Sequence, residues 1–308
     1  MRGLLVVNPK ATTTNDVTRD VLISALADKF HLEVVTTTHR GHAHELGATA
    51  RDESMDCILT LGGDGTIHEV VNGLLAAGPA PDLPVLGTVP GGSANVFARA
   101  LGYPQEAVEA TGLLLRAMRE GTTRTIGLGK VDDRYFTFTA GLGLDAEIMA
   151  RMEQARADGK TASPTRYLAT TVRQFFAGSD RKRPALVLQR AGEDPIEGVF
   201  LAIIQNTSPW TFLGAHPVNP SPAASFDTGL DLWATKSLKV PQALRFSTRM
   251  LLSRERGSPK AMVAWHDMHE FRITATRPTP MQVDGEVVGD ITDVTFRAVK
   301  DALRVYAP

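Results

Sequence analysis

Cysteine is nearly missing from this 308-residue chain, with Cys57 the only one. A disulfide framework is therefore excluded, and a reducing cytoplasm is the expected setting. Charge of one sign is missing too: the formal net charge is -1. A general nucleic-acid binder carries a basic excess, so that class is disfavoured. Long apolar runs are missing as well, since none approaches the roughly 18 residues that a spanning helix needs. The opening run from Gly3 to Val7 stops at Asn8-Pro9, too short for a signal h-region, and is expected to be a strand. No internal repeat or low-complexity tract interrupts the chain.

What is there is ordinary globular composition, 43% hydrophobic and 22% charged, in a chain long enough for two domains. The first 120 or so residues alternate apolar runs with helical periodicity. "GLLVVNP", "HLEVVTTT", "CILTL" and "LPVLGTV" read as strands; "TRDVLISALADKF", "AHELGATAR", "SANVFARAL" and "QEAVEATGLLLRAMREG" read as helices. Val21, Leu22, Ala25 and Leu26 are expected on the buried side of the first helix. Such alternation predicts a parallel sheet covered by helices, with ligands at the carboxyl ends of its strands.

The pattern changes near Gly121–Thr125. Beyond it, "RPALVLQRAGEDPIEGVFLAIIQN", "GLDLWATKS" and "FRITATRPTPMQVDGEVV" show period-two alternation and frequent turn residues. That predicts mainly antiparallel structure, a β-sandwich or barrel, interrupted by helices over 143–160 and 164–178. The expected organisation is an α/β domain over 1–122 and a β-rich domain over 123–308, with an interdomain cleft. The last strand is expected to be free to pack on the first domain.

The most informative stretch is "CILTLGGDGTIHEVVNGLLAAGP", residues 57–79. A buried strand is followed by a turn at Gly62-Gly63-Asp64-Gly65, where glycine supplies conformations other residues avoid. Thr66 and Glu69 have the spacing of a capping box. Ile67, Val70, Val71, Leu74 and Leu75 then form one helical stripe. Free N–H groups at a helix start, with the helix dipole, suit a phosphate. A capped structural turn would account for the glycines equally well, but Asp64 beside an anion site needs a cation or a reacting hydroxyl.

"VPGGSANVFARALG" repeats the theme, with Ser93 as the expected N-cap and Arg99 farther along. Asn8 and Lys10 follow the first strand. Asp284-Gly285-Glu286 reads as a hairpin turn. Several familiar patterns fail. His68 stands where a dinucleotide fingerprint needs its third glycine, Gly159-Lys160-Thr161 lacks the rest of a P-loop, and His68-Glu69 lacks the second histidine of a zinc protease. His42, His44, His266 and His269 are expected to be solvated, because no third ligand accompanies them.

In order, these motifs resemble the diacylglycerol kinase catalytic family, in particular its soluble bacterial lipid-kinase branch. "NPK", "TTTHRGHAHELG", "LGGDGTIHEVVNGL", "GGSANVFARALG", "FTAGLGLDAEI", "NPSPAASFDTGLDLW" and "QVDGE" carry the resemblance. The glycine-aspartate-glycine signature is shared with NAD kinases and sphingosine kinases. The resemblance implies transfer of the γ-phosphoryl group of ATP to a lipid hydroxyl, with Mg²⁺. It places ATP at Asn8, Pro9, Lys10, Thr37, Thr38, Gly62, Gly63, Asp64, Gly65, Thr66, Gly92, Ser93 and Asn95. It makes Glu286 the proton acceptor, with Asp284 beside it and Asp64 facing the metal or the reacting groups.

Two departures stand out. Val96 replaces an acid in the second glycine loop. Thr228 replaces the second acid of the Asp-Asp-Gly region, so a structural Mg²⁺ site would rest on Asp227, Thr228 and Asp231. The amphipathic "PQALRFSTRMLLSRER" suits either an anionic lipid surface or an ordinary helix against the β domain. "SPWTFLG" allows the same two readings. A cytoplasmic enzyme with transient peripheral membrane contact, acting on diacylglycerol or a similar lipid alcohol and able to form a homodimer, is the expectation. A soluble-substrate kinase, such as an NAD kinase, and a nucleotide- or lipid-binding regulator without turnover are the alternatives.

Overall fold

The computed structural model describes residues 2–10, 16–29, 31–144, 146–147, 183–252 and 261–308. The chain divides into two compact units, Met1–Leu128 with Lys300–Pro308, and Gly129–Val299.

The first unit is built on a parallel sheet in the order β2-β1-β3-β4, formed by β1 (Arg2–Val7), β2 (His31–Thr36), β3 (Cys57–Gly62) and β4 (Val85–Pro90). All residues of β3 and β4 are buried, which explains their unbroken apolar runs. At the edge, β2 has no fully buried residue, as its mixed sequence requires. Helices α1 (Asp16–Lys29), α2 (His42–Asp52), α3 (Asp64–Leu74), α4 (Val96–Ala100) and α5 (Ala107–Glu120) connect the strands. The stripe Ile67, Val70, Val71, Leu74 and Leu75 is buried as its spacing predicts. Val21 departs from expectation: Leu22 and Leu26 face inward, but Val21 is 60% exposed. It lies one residue off the 22/26 stripe, and a narrow helix contact leaves it outside.

Helices α2 and α3 approach closely through glycine. A β-carbon on Gly73 would lie 2.1 Å from the His44 carbonyl oxygen, and one on Gly47 would lie 2.5 Å from that of Val70. No side chain fits at either position, so this contact fixes the helix pair that carries the first glycine loop. The end of the chain closes the unit. Val305 pairs in parallel with Leu86, and the buried Tyr103 hydroxyl donates to the Tyr306 carbonyl at 3.0 Å.

The second unit is antiparallel, in the order β14-β13-β10-β7-β15-β16. These strands are β7 (Thr139–Gly143), β10 (Leu201–Gln205), β13 (Leu230–Thr235), β14 (Met262–Met268), β15 (Glu270–Val283) and β16 (Glu286–Tyr306). The amino-terminal half of β15 pairs with β8 (Leu186–Gln189), itself paired with β9 (Ile196–Val199), while its last residues pair with β7. β5 (Thr123–Val131) carries the chain in and pairs with β6 (Arg134–Phe136) and β16. The core stacks Phe271 on Phe296 at 5.3 Å, with Trp265 and Phe136 edge-on.

"SPWTFLG" opens a small hairpin of β11 (Thr211–Leu213) and β12 (His216–Val218). The amphipathic stretch forms α6 (Val240–Leu252), and its Phe246 is buried edge-on against Trp233 with Trp210 packed nearby. That favours a helix seated on the β unit. The helix expected over 164–178, most of the one over 143–160, and Gly159-Lys160-Thr161 lie outside the described residues. Among the described residues no helix is long and apolar enough to cross a membrane.

Candidate functional site

The sites named from sequence in the first unit gather at one edge. Asn8, Pro9 and Lys10 follow β1, and Thr37 and Thr38 follow β2. Gly62 ends β3 and Gly63 to Thr66 follow it, and Gly92, Ser93 and Asn95 follow β4. This is the carboxyl edge of a parallel sheet, the place where such folds bind ligands.

The caps there differ from the expected ones. Helix α3 begins at Asp64 with extended Gly63 as its N-cap, and no side chain caps it. Thr66 therefore lies inside the first turn. Its Oγ1 instead accepts a hydrogen bond from Asn8 Nδ2 at 3.0 Å, while Asn8 Oδ1 accepts from the Lys10 backbone N–H. Glu69 lies too far along to reach back to its own helix start. Its carboxylate accepts from the backbone N–H groups of Gly41 and Ala43, at 3.0 and 3.2 Å, and so caps α2. The capping-box spacing was present, but a helix start three residues earlier redirected both side chains.

Ser93 is likewise not the N-cap of α4. That position belongs to Asn95, held at φ 49°, whose Oδ1 accepts from the Gly92 N–H at 2.8 Å. The donors of α4 are taken by Asp64: its two oxygens accept from Val96 and Phe97 at 3.0 and 3.1 Å. An acid in the first glycine loop thus caps the helix of the second. The loops also touch through their glycines, since a β-carbon on Gly92 would lie 2.7 Å from the Gly63 Cα. Arg99 on α4 has its pKa lowered by burial, with Asp64 opposing that shift.

In the second unit, Asp284 (φ 48°) and Gly285 (φ 83°) make the two-residue turn between β15 and β16, closing the pair Val283–Glu286. Both positive φ values fit a turn of the type Asp-Gly favours. Asp284 is 4% exposed, and its carboxylate accepts four hydrogen bonds of 2.8–3.1 Å. They come from the backbone N–H groups of Thr137, Phe138 and Thr139 and from the Thr137 hydroxyl. Asn206, which sequence reading passed over, donates to the Thr137 carbonyl and strengthens the same bend. Glu286, just past the turn, is half-buried at the first position of β16.

The three residues expected to hold a metal lie in different settings. Asp227 is exposed, whereas Asp231 is 2% exposed. The Thr228 hydroxyl donates to the Ser225 carbonyl. Asp231 Oδ1 lies 2.8 Å from His266 Nδ1 and accepts from the Asp267 N–H. Burial raises the Asp231 pKa, and the bonds from Asp267 and His266 oppose the rise. Among the described residues no three His, Cys, Asp or Glu side chains are grouped to hold a metal. His266 is exposed, as expected, and also has a buried acid as partner. No spacing rule could have found that pair, because 35 residues separate its members.

An α/β unit with two glycine loops at the carboxyl edge of a parallel sheet, joined to an antiparallel β unit, defines the class of protein. Residues 2–131 match the family model of the diacylglycerol kinase catalytic domain, and the resemblance read from the motifs holds over that segment. The diacylglycerol kinase of Bacillus subtilis (strain 168) is 35% identical over 152 residues, 48% of this chain and 47% of that protein. A probable lipid kinase YegS-like of Chromohalobacter salexigens is 34% identical over 144 residues, 47% and 44% of the two chains. The chain thus spans about half the length of the curated relatives it matches. A crystal structure of a diacylglycerol kinase from Bacillus anthracis str. Sterne shares the fold over 100% of this chain and 97% of that one, with a TM-score of 0.74 and 21% identity. An NAD kinase from Archaeoglobus fulgidus in complex with ATP is more distant, with a TM-score of 0.50 and 13% identity.

Proposed function

We propose that this chain is an ATP-dependent lipid kinase that transfers the γ-phosphoryl group to the hydroxyl of diacylglycerol, giving phosphatidic acid. The observation that carries the reading is the first glycine loop, at the start of α3 and on the carboxyl edge of the sheet, within the segment that matches a diacylglycerol kinase catalytic domain. The first N–H groups of a helix have no partner inside it, so this loop supplies donors for phosphate oxygens. Thr37, Thr38, Asn8, Pro9, Lys10, Gly92, Ser93 and Asn95 contribute the surrounding surface.

Phosphoryl transfer relies on positioning and charge neutralisation, so the protein needs few reactive groups. In this reading Glu286 takes the proton of the lipid hydroxyl as that oxygen bonds to the γ-phosphorus and ADP leaves. Asp284, with its oxygens committed to Thr137, Phe138 and Thr139, holds the turn that presents Glu286. Asp64 acts by joining the two glycine loops. Mg²⁺ bound with ATP would supply neutralisation of phosphate charge. The enzyme meets its lipid from the membrane surface, in the cytoplasm, and a homodimer belongs to the same proposal.

The test is transfer of labelled γ-phosphate from Mg-ATP to diacylglycerol, other lipid alcohols and NAD, using native protein and Glu286→Ala. Labelled lipid from native protein alone supports the reading. Labelled NAD, or no product despite ATP binding, replaces it with a soluble-substrate kinase or a binding protein.

A further inference from the structure

The turn that follows β2 is held by an imidazole. The backbone N–H of Thr38 lies 3.1 Å from His42 Nδ1, and the Thr38 hydroxyl lies 3.2 Å from the same atom and 2.9 Å from His39 Nδ1. A backbone N–H can only donate, so His42 Nδ1 must present a lone pair and any ring proton sits on Nε2. The His39 and His42 rings stack in parallel, 5.0 Å apart and 3° from coplanar. His39 in turn lies 3.6 Å from Glu45.

His42 is also tied to the first glycine loop. Its neighbours on both sides, Gly41 and Ala43, donate their backbone N–H groups to Glu69 of α3. The imidazole is thereby fixed to the helix that Asp64 begins, and it passes that position on to Thr38. Thr37 is fixed from the other direction, donating its backbone N–H to the Val7 carbonyl at 2.9 Å.

We propose that His42 is a positioning residue for the nucleotide site, holding Thr38 in register with the first glycine loop through its Nδ1 lone pair. The inference rests on the kinase reading above, because it takes Thr37 and Thr38 to border bound ATP. It assigns His42 no contact with the reacting atoms. Its effect therefore falls on nucleotide affinity and not on the chemical step.

Calorimetric binding of Mg-ATP to the full chain tests it, comparing native protein with His42→Leu and His42→Asn. Asparagine places an oxygen acceptor near the position of Nδ1, and leucine places none. The expected result is a roughly tenfold weaker Kd for His42→Leu, the worth of one net hydrogen bond, with His42→Asn restored to within about threefold of native. The ATP KM should follow, with kcat and the lipid KM unchanged. Equal binding by native protein and His42→Leu would overturn the proposal, and so would equal loss in both variants or a fall confined to kcat. Nitrogen-15 NMR of the native imidazole needs no variant: a proton on Nε2 alone is the expected tautomer, and a proton on Nδ1 overturns it. If native protein binds no nucleotide, the kinase reading fails first, and the two failures are thus distinguished.

Discussion

The chain uses the step Asp-Gly twice at places that sequence reading assigns to chemistry, and the two aspartates solve different problems. Asp64 opens α3 and spends its carboxylate on the start of another helix, α4. Asp284 sits in a two-residue hairpin turn and gathers three successive backbone N–H groups and one hydroxyl from the bend at 137–139. The first is a fastener between two ligand loops, with two bonds. The second is a buried anchor, with four. The dipeptide sets the local turn, but the donors that surround the carboxylate set its role.

Glu286 gives that comparison its sharpest edge, because it follows the Asp284-Gly285 turn at the first position of β16. Glu286→Gln is expected to lower kcat by about 10²–10⁴-fold, the usual worth of a positioned base, while the melting temperature stays near native. Unchanged turnover in that variant would remove the proposed base. Asp284→Ala should do the reverse. Leaving several buried donors unpaired costs on the order of 3–5 kcal/mol, so urea unfolding should show a marked loss of stability before any assay is run. A loss below about 1 kcal/mol would mean that water replaces the carboxylate and that Asp284 is no anchor. Asp64→Ala falls between the two: a lost cap costs about 1–2 kcal/mol, and nucleotide affinity should fall with it. Asp64→Asn keeps one acceptor oxygen and is expected to recover about half of the stability.

Much of this was legible in the sequence, where one local rule acts alone. The apolar runs of β3 and β4, the stripe on α3 and the Asp284-Gly285 turn follow from period and turn chemistry, and they appear as expected. The gathering of Asn8, Thr37, Gly62–Thr66 and Asn95 on one edge follows from β/α alternation. Reading failed where side chains chose distant partners over near ones. Glu69 had the spacing to cap its own helix but reaches α2, 26 to 28 residues away. Ser93 had the right chemistry for a cap, yet Asp64 already satisfied those donors. His266 is exposed as expected, yet its partner Asp231 lies 35 residues away and is set by the fold and not by a metal-ligand pattern. A carboxylate or imidazole can serve any donor within reach, and reach is a tertiary property.

Glu106 supplies the control for these capping roles, since it caps its own helix at the surface. Its side chain accepts from the Glu109 N–H at 2.7 Å, at the start of α5. That bond, then one from Val108, lowers its pKa. The sign follows from linkage: the unfolded chain binds its proton at higher pH than the folded one does. The cap's contribution is therefore present above the ordinary glutamate value, near 4.3, and is lost as pH falls through the lowered native value. Glu106→Gln should thus unfold slightly more easily than native protein at pH 7, with the difference vanishing in acid. Because Glu106 is exposed, water can take over its bond, and the effect should be the smallest of the set. The comparison with Asp64 would break if Glu106→Gln proved as damaging as Asp64→Ala, since bridging two loops would then add nothing to capping one helix.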